Sequence, residues 1–254
     1  MTVVAIIQAR MGSTRLPGKV LAELGPKPVL QWVVEASRSI PGNGAVVVAT
    51  STAQADDAIA SWCGERGIPV FRGHEDDVLD RFAGAAREVG ADVILRVTAD
   101  CPLLDPDEAG KVLAAVVDGR ADYACNNEPP SYPDGLDCEA FTRQALEAAS
   151  ERARRPSERE HVTLFIRDPA NRFRIERLRC PLGELGDERW TLDNPEDLAF
   201  LRAVVRSLPS DRPPRLAEVL AVLDRSPELR QLNRGIARNE GLARSLARDR
   251  AAGF

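Results

Sequence analysis

The chain has no surplus of positive charge. Its 34 Lys and Arg are outnumbered by 39 Asp and Glu, for a net charge of -5 at pH 7, whereas a general nucleic-acid binder needs the opposite balance to neutralise phosphates. Long hydrophobic runs are missing as well. The opening "MTVVAIIQAR" has no basic leading region and an apolar stretch far too short for a signal or membrane segment, and nothing later in the chain could span a bilayer. The expectation is therefore no nucleic-acid partner and no membrane partner. Cysteine is sparse and unpatterned. Cys63, Cys101, Cys125, Cys138 and Cys180 are odd in number, scattered and without a C-x-x-C pair, which argues against a disulfide framework or zinc site and for a reducing, cytoplasmic compartment. Only two histidines occur, His74 and His161, and no Ser stands in a G-x-S-x-G elbow, so triad hydrolysis has no support. Cys101 has no histidine near it in sequence and reads as a small buried thiol rather than a nucleophile.

What the chain does have is a full core. With 254 residues, 44% hydrophobic and 29% charged, it can form one large domain or one domain with an appendage. "VVAIIQ" (Val3 to Gln8), "AVVVAT" (Ala45 to Thr50), "PVFRG" (Pro69 to Gly73) and "DVILRVTAD" (Asp92 to Asp100) read as strands, continuously apolar as in a sheet covered on both faces. Stretches of helical period lie between them, around Val29 to Ser39, Ala55 to Arg66, Asp77 to Val89 and Asp107 to Val117. The alternation predicts a three-layer α/β/α fold with a mostly parallel, Rossmann-like sheet. Ligands of such sheets bind beyond the strands' carboxyl ends, where four loops, among them Gln8 to Gly18 and "TADCPLLDP", should converge. From Tyr123 the pattern loosens into a polar, Pro-rich connection, short helices and a probable strand "RFRIERLRC". "RWTLDNPEDLAFLRAVV" reads as a strand end followed by a capped helix, with Asp193 or Asn194 as the cap. "SLPSDRPP" marks a linker, so the expected organisation is a main domain over 1-207, whose pattern loosens over 122-180, and a helical extension over 208-254, its Arg215 to Arg250 stretch helical with an Arg-rich polar face.

The loop "QARMGSTRLPGKVL" combines Arg10, Arg15 and Lys19 with Gly, Ser and Thr directly after a buried strand. It is not a Walker A motif, because five residues rather than four separate Gly12 from Gly18, and Val20 follows the lysine. No G-x-G-x-x-G follows any strand, which removes support for a dinucleotide site. The mechanism common to phosphate loops still applies: glycines admit the ligand, N–H groups point inward, and Arg and Lys neutralise it.

The same stretch, "IIQARMGSTRLPGKVL", resembles the N-terminal signature of the cytidylyltransferases that activate acidic sugars, the acylneuraminate and 3-deoxy-manno-octulosonate group. "GHEDDVLDRF", "RVTADCPLLDP", "YPDGLDCEAF", "SEREHVTLFI", "RWTLDNPEDLAF" and "LNRGIARNEG" extend the likeness to the SpsF-type spore-coat polysaccharide branch. The resemblance implies that CTP is the co-substrate, that an acceptor oxygen attacks its α-phosphate, and that a CMP-sugar and pyrophosphate result. It implies catalytic roles for Arg10, Lys19 and Asp100, and a divalent metal, Mg²⁺, held by Asp100 at the end of a central strand and by Asp193. It places Gln8, Ala9, Arg10, Met11, Gly12, Ser13, Arg15, Lys19, Thr50, Ser51, Arg72, Asp77 and Thr98 at the nucleotide. Asp134, Asp137, Glu139, Arg159, Glu160 and His161 fall on the acceptor side, with Arg155 as a further candidate for a sugar carboxylate. Gln8 and Thr98-Ala99 stand where relatives that activate deoxyoctulosonate carry Pro and a Gln-Gly pair. The family also implies a homodimer, with contact through Tyr123 to Arg179, which makes 122-180 the acceptor and dimerisation region within a cytidylyltransferase domain over 1-207. Alternatives read from the residues are a sugar-1-phosphate nucleotidylyltransferase, whose signature is denser in glycine, a nucleotide-binding regulator without metal carboxylates, and a glycosyltransferase, whose D-x-D pair is absent from "TADCP".

Overall fold

The apolar runs become the strands of one sheet in a computed structural model that describes all of residues 1–254. In chain order the elements are β1 (Val3–Gln8), β2 (Glu23–Leu24), β3 (Lys27–Pro28), α1 (Val29–Arg38), β4 (Ala45–Ser51), α2 (Asp57–Gly64), β5 (Val70–Gly73), α3 (Val78–Glu88), β6 (Val93–Thr98) and α4 (Pro106–Val117). They continue as β7 (Tyr123–Cys125), β8 (Glu139–Thr142), α5 (Arg143–Arg152), α6 (Pro156–Glu160), α7 (Leu164–Arg167), β9 (Ile175–Arg177), α8 (Pro195–Val205), α9 (Leu216–Arg225) and α10 (Glu240–Ala251). The main sheet has the order β5-β4-β1-β6-β8-β7-β9, and β2 and β3 form a separate ribbon. β1 pairs in parallel with β4 and β6, β4 with β5, and β7 with β9, while β8 alone runs antiparallel to its neighbours. This is the mostly parallel α/β sheet expected from the alternation.

Period-two geometry sends alternate residues of each strand to opposite faces. Val3, Ala5 and Ile7 of β1 join Val46, Val48, Val93 and Leu95 in a core against α1, α2 and α4. Val4 and Ile6 join Val47, Ala49 and Ile94 in a second core against α3 and α5. A third cluster lies beyond the sheet and joins Leu24, Trp32, Trp190 and Leu192 to Phe200, Leu201 and Val204 of α8 and to Leu216, Val219, Val222 and Leu223 of α9. Trp32 and Trp190 are both fully buried there, so truncating either to Ala would cost about 3–5 kcal/mol. The segment expected to be an extension thus packs into the core at α9. No helix is long and apolar enough to cross a membrane.

The strand order reverses between β1 and β6, whose ends meet at the register pair Gln8 and Thr98. A crevice at such a switch point is where α/β sheets bind ligands. Two caps set the helices around it. The Asp77 carboxylate accepts from Asp80 N–H at the start of α3, and Asp105 accepts from Asp107 N–H at the start of α4. Gly135 has φ 112, and a Cβ there would meet Thr191 N and the Trp190 carbonyl carbon at 2.6 Å, so only glycine lets the Pro-rich connection pack against the 190–191 segment.

The structure departs from the expected elements in two places. β7 and β8 are three and four residues long, too short for a readable period, and β8 lies inside the stretch read as loop, whereas β9 falls within the strand expected over "RFRIERLRC". The single helical stretch expected over Arg215 to Arg250 is two helices, interrupted by Pro227 at a 3-10 turn and by left-handed Gly235 (φ 84) and Asn239 (φ 58).

Candidate active site

The phosphate-type loop leaves β1 and is folded back on itself. Ser13 and Gly18 donate backbone N–H bonds to Met11 O at 2.9 and 3.0 Å, and Leu16 N–H donates to Ser13 Oγ at 3.2 Å. Gly18, left-handed at φ 74, turns the chain into the 3-10 turn that begins with Lys19. A Cβ at Gly12 would meet nothing within 4 Å, so the backbone there faces open space. The loop is tied down by Asp56, a buried carboxylate that accepts from Met11 N–H at 2.7 Å, Ser51 N–H at 3.2 Å and Ser51 Oγ at 2.5 Å.

Lys19 is the centre of the site. Its ammonium donates to Asp100 Oδ2 at 2.6 Å, Leu192 O at 2.8 Å and Asp193 Oδ1 at 2.8 Å, which uses all three of its protons. Burial works against the charge, but the two carboxylates outweigh it and hold the Lys19 pKa above the ordinary lysine value. Asp100 and Asp193 meet because the 191–193 segment is stitched to the end of β6: Leu192 N–H donates to Asp100 O at 2.9 Å and Thr191 Oγ1 to the same oxygen at 3.3 Å. Arg15 also contacts Asp193 at 3.0 Å, and Arg189 reaches it at 3.3 Å. Burial alone would raise the Asp193 pKa, yet Lys19, Arg15 and Arg189 bring it down to about 2. The cap of α8 is Asn194, with Asp197 accepting from the N–H groups of Asn194 and Asp193 at 2.9 and 3.0 Å. The Asp193 carboxylate is therefore not spent on capping. The Asp100 carboxylate likewise accepts from Lys19 rather than capping a turn.

These groups open onto a crevice of about 820 Å³. One wall carries Gln8, Arg10, Gly12, Ser13, Arg15 and Lys19, and the floor carries Arg96, Thr98, Ala99, Asp100 and Asp193. The opposite side carries His74 to Val78, Pro156, Arg159, Glu160 and His161, and α10 adds Gly241, Arg244, Ser245 and Arg248. Arg10 is exposed on the wall. Arg159 binds Asp77 Oδ2 through Nε at 2.9 Å and Nη2 at 2.5 Å. His161 Nε2 lies 3.0 Å from Ser245 Oγ, and burial lowers the His161 pKa.

Several expected site residues stand behind the crevice rather than on it. Ala9 and Met11 face inward from the loop, and Ala9 N–H pairs with Ala49 O at 3.1 Å. Thr50 and Ser51 are fully buried, and Arg72 donates to Ser51 O and Ala53 O at 2.8 and 3.0 Å and pairs with Asp57 at 2.7 Å. Ser51 and Arg72 support the Asp56 anchor. The carboxylates expected to touch an acceptor are taken by arginines. Asp134 binds Arg189 at 2.9 Å, Asp137 binds Arg238 at 2.5 Å, and Glu139 pairs with Arg96 while accepting from Tyr123 and Thr163 hydroxyls. Burial, opposed in part by Arg238, pushes the Asp137 pKa up to about 7. Arg155 lines a separate hollow beside Ser157 and Arg167, away from the crevice.

Residues the sequence did not single out complete the arrangement. Arg189 is a buried hub: its Nε and Nη2 each donate to Asp197 at 2.9 Å while Nη1 holds Asp134. Asp56, Glu240, Arg244 and Arg248 look in sequence like ordinary surface charge, and only the chain path brings them to the site. Glu240 binds Arg15 at 2.5 Å. Chemically, the site offers a cradle of positive groups for an anion beside two carboxylates that already share one cation.

The model of the cytidylyltransferase family matches residues 4–232. The spore coat polysaccharide biosynthesis protein SpsF of Bacillus subtilis is 34% identical over 229 residues, which cover 88% of this chain and 94% of that protein. A 3-deoxy-manno-octulosonate cytidylyltransferase of Trichlorobacter lovleyi is 43% identical over 106 residues, 42% of this chain and 41% of its own length. The structure of a cytidylyltransferase from Leptospira borgpetersenii superposes with a TM-score of 0.86 at 30% identity, covering 94% of this chain and 100% of that one.

Proposed function

The chain belongs to the cytidylyltransferase family and is a CTP-dependent nucleotidyltransferase; we propose that it transfers CMP from CTP to an acidic sugar in polysaccharide or glycoconjugate biosynthesis. The single observation that carries the reading is the Lys19–Asp100–Asp193 cluster at the mouth of the phosphate-type loop. The acceptor hydroxyl attacks the α-phosphorus of CTP, the bond to the β-phosphate oxygen breaks, and pyrophosphate leaves while the hydroxyl proton is released. Arg10, Arg15, Lys19 and the loop N–H groups of Gly12 and Thr14 bind the triphosphate and meet the charge that builds on the leaving group. Lys19 is held by its carboxylates until phosphate oxygens offer it an alternative partner.

Asp100 and Asp193 would hold a divalent cation, Mg²⁺ in our reading. The fit is chemical: two carboxylates converge on one ammonium nitrogen at 2.6 and 2.8 Å, and Mg²⁺ takes one or two carboxylates together with phosphates and water. Such an ion, when bound, neutralises the triphosphate and stabilises the leaving pyrophosphate. We place the acceptor near Arg159, Glu160 and His161, and the base near Gln8 and Thr98. Residues 1-207 would carry the CTP chemistry and 208-254 would close the crevice. The five thiols are all unpaired and buried, which suits the cytoplasm. A homodimer through 122–180 is the proposed assembly.

Calorimetry with CTP, UTP, ATP and GTP tests the nucleotide. CTP should bind with millimolar-or-better affinity and be preferred. Tight ATP binding without CTP binding would remove the cytidylyl reading.

A further inference from the structure

Helix α10 supplies the part of the crevice wall that the family match does not reach, since that match ends at residue 232. Three contacts fix it in place. Glu240 holds Arg15 at 2.5 Å, Ser245 Oγ sits between Glu160 Oε2 at 2.7 Å and His161 Nε2 at 3.0 Å, and Asp249 accepts from Ser157 N–H at 3.2 Å and from its hydroxyl. The helix therefore runs from the phosphate-type loop toward α6. Arg244 and Arg248 follow Glu240 at one and two turns, on one helix face, and both line the crevice.

Neither guanidinium has a carboxylate or hydrogen-bond partner, whereas Arg15, Lys19, Arg96 and Arg159 around the same crevice are all paired; Arg10, across from them on the phosphate-type loop, is the other unpaired arginine of the lining. Two like charges four residues apart on a helix repel each other, an arrangement that an anion between them would relieve. The triphosphate already has its cations on the loop. An anion reaching Arg244 and Arg248 would lie toward Arg159, Glu160 and His161, the side given to the acceptor.

We propose that Arg244 and Arg248 hold the carboxylate of the acidic-sugar acceptor and are the residues that select it over neutral sugars. Planar guanidinium forks suit a carboxylate, and their hydrogen bonds to it are charge-assisted. The inference rests on the cytidylyl reading and sharpens it.

The test titrates two probes, N-acetylneuraminate and 3-deoxy-manno-octulosonate, into full-length protein saturated with CTP and held in EDTA to prevent turnover. R244Q and R248Q should each weaken binding of an acid that the parent binds by about tenfold or more, R244K and R248K should recover part of the loss, and CTP affinity should stay within about twofold in every variant. Acid affinity unchanged in both Gln variants would overturn the proposal. So would binding of neither acid to the CTP-loaded parent, or a fall in CTP affinity as large as the fall for the acid, which would make these residues triphosphate ligands. Failure of the parent to bind CTP at all would instead sink the reading beneath it, and this proposal with it.

Discussion

At the residue scale the account turns on what Asp100 and Asp193 do with their charge. Neither carboxylate caps a turn or helix; both are given to Lys19. Asp100→Asn keeps the size and most hydrogen bonds yet removes the charge, so turnover in saturating CTP and Mg²⁺ should fall by about a hundredfold or more while the protein still folds. Near-parental turnover would contradict a metal-holding role. Lys19→Met should weaken CTP binding even in EDTA, a loss that calorimetry reads without any metal. Asp193 also makes a prediction about pH. Its folded pKa lies at about 2, below the ordinary value of 3.8. Its ionised form therefore contributes stability that is present above about pH 4 and lost as pH falls through about 2. The difference in unfolding free energy between parent and Asp193→Asn should be flat from about pH 5 to 7 and shrink below about pH 4; a difference that grows on acidification would contradict the pairing.

At the scale of elements, the loop between β1 and the Lys19 turn is shaped less by its own residues than by Asp56, which arrives from the turn after β4. Asp56→Ala would leave the Met11 and Ser51 donors unpaired at a cost of roughly 1–3 kcal/mol each. The expected result is a lower unfolding midpoint and CTP binding weaker by about tenfold, both measurable on one preparation. Much of the elements' placement was legible in the sequence. β1, β4 and most of β6 are buried on both faces and so read as apolar runs, β5 is a half-buried edge strand that is legible from its place in the alternation, and α1 to α4 carry the helical period between them. β7 and β8 have too few residues to show a period, and the break before α10 is marked in the sequence by Pro227 and Gly235, which lie within a stretch of otherwise helical character. In the site, Arg10 and Asp100 stand out as charges just past strand ends, and Lys19 as the lysine that closes the glycine-bounded loop. Asp56 and Arg189 do not, because a buried carboxylate or guanidinium reads in sequence like any surface charge until its partners are known. Asp134, Asp137 and Glu139 showed the reverse problem: acids in a polar loop look available, yet each is neutralised by an arginine from a distant element.

At the scale of the molecule, the crevice is assembled from both ends of the chain. Residues near the N-terminus supply the phosphate-type loop, and α10 closes over it. A homodimer through the region from Tyr123 to Arg179 is expected to show twice the 27.7 kDa chain mass in light scattering at micromolar concentration, and a monomer there would count against it. The sheet order and the family place this chain among enzymes that move a nucleotidyl group, and that transfer can be followed atom by atom. The most direct measurement uses CTP labelled at the α-phosphorus, with an acidic sugar, Mg²⁺ and the full-length protein. The account predicts that the α-label appears in a new CMP-sugar while unlabelled pyrophosphate is released in equal amount. Label that stays in CTP with every acidic sugar while another nucleotide donates its α-phosphate would contradict it.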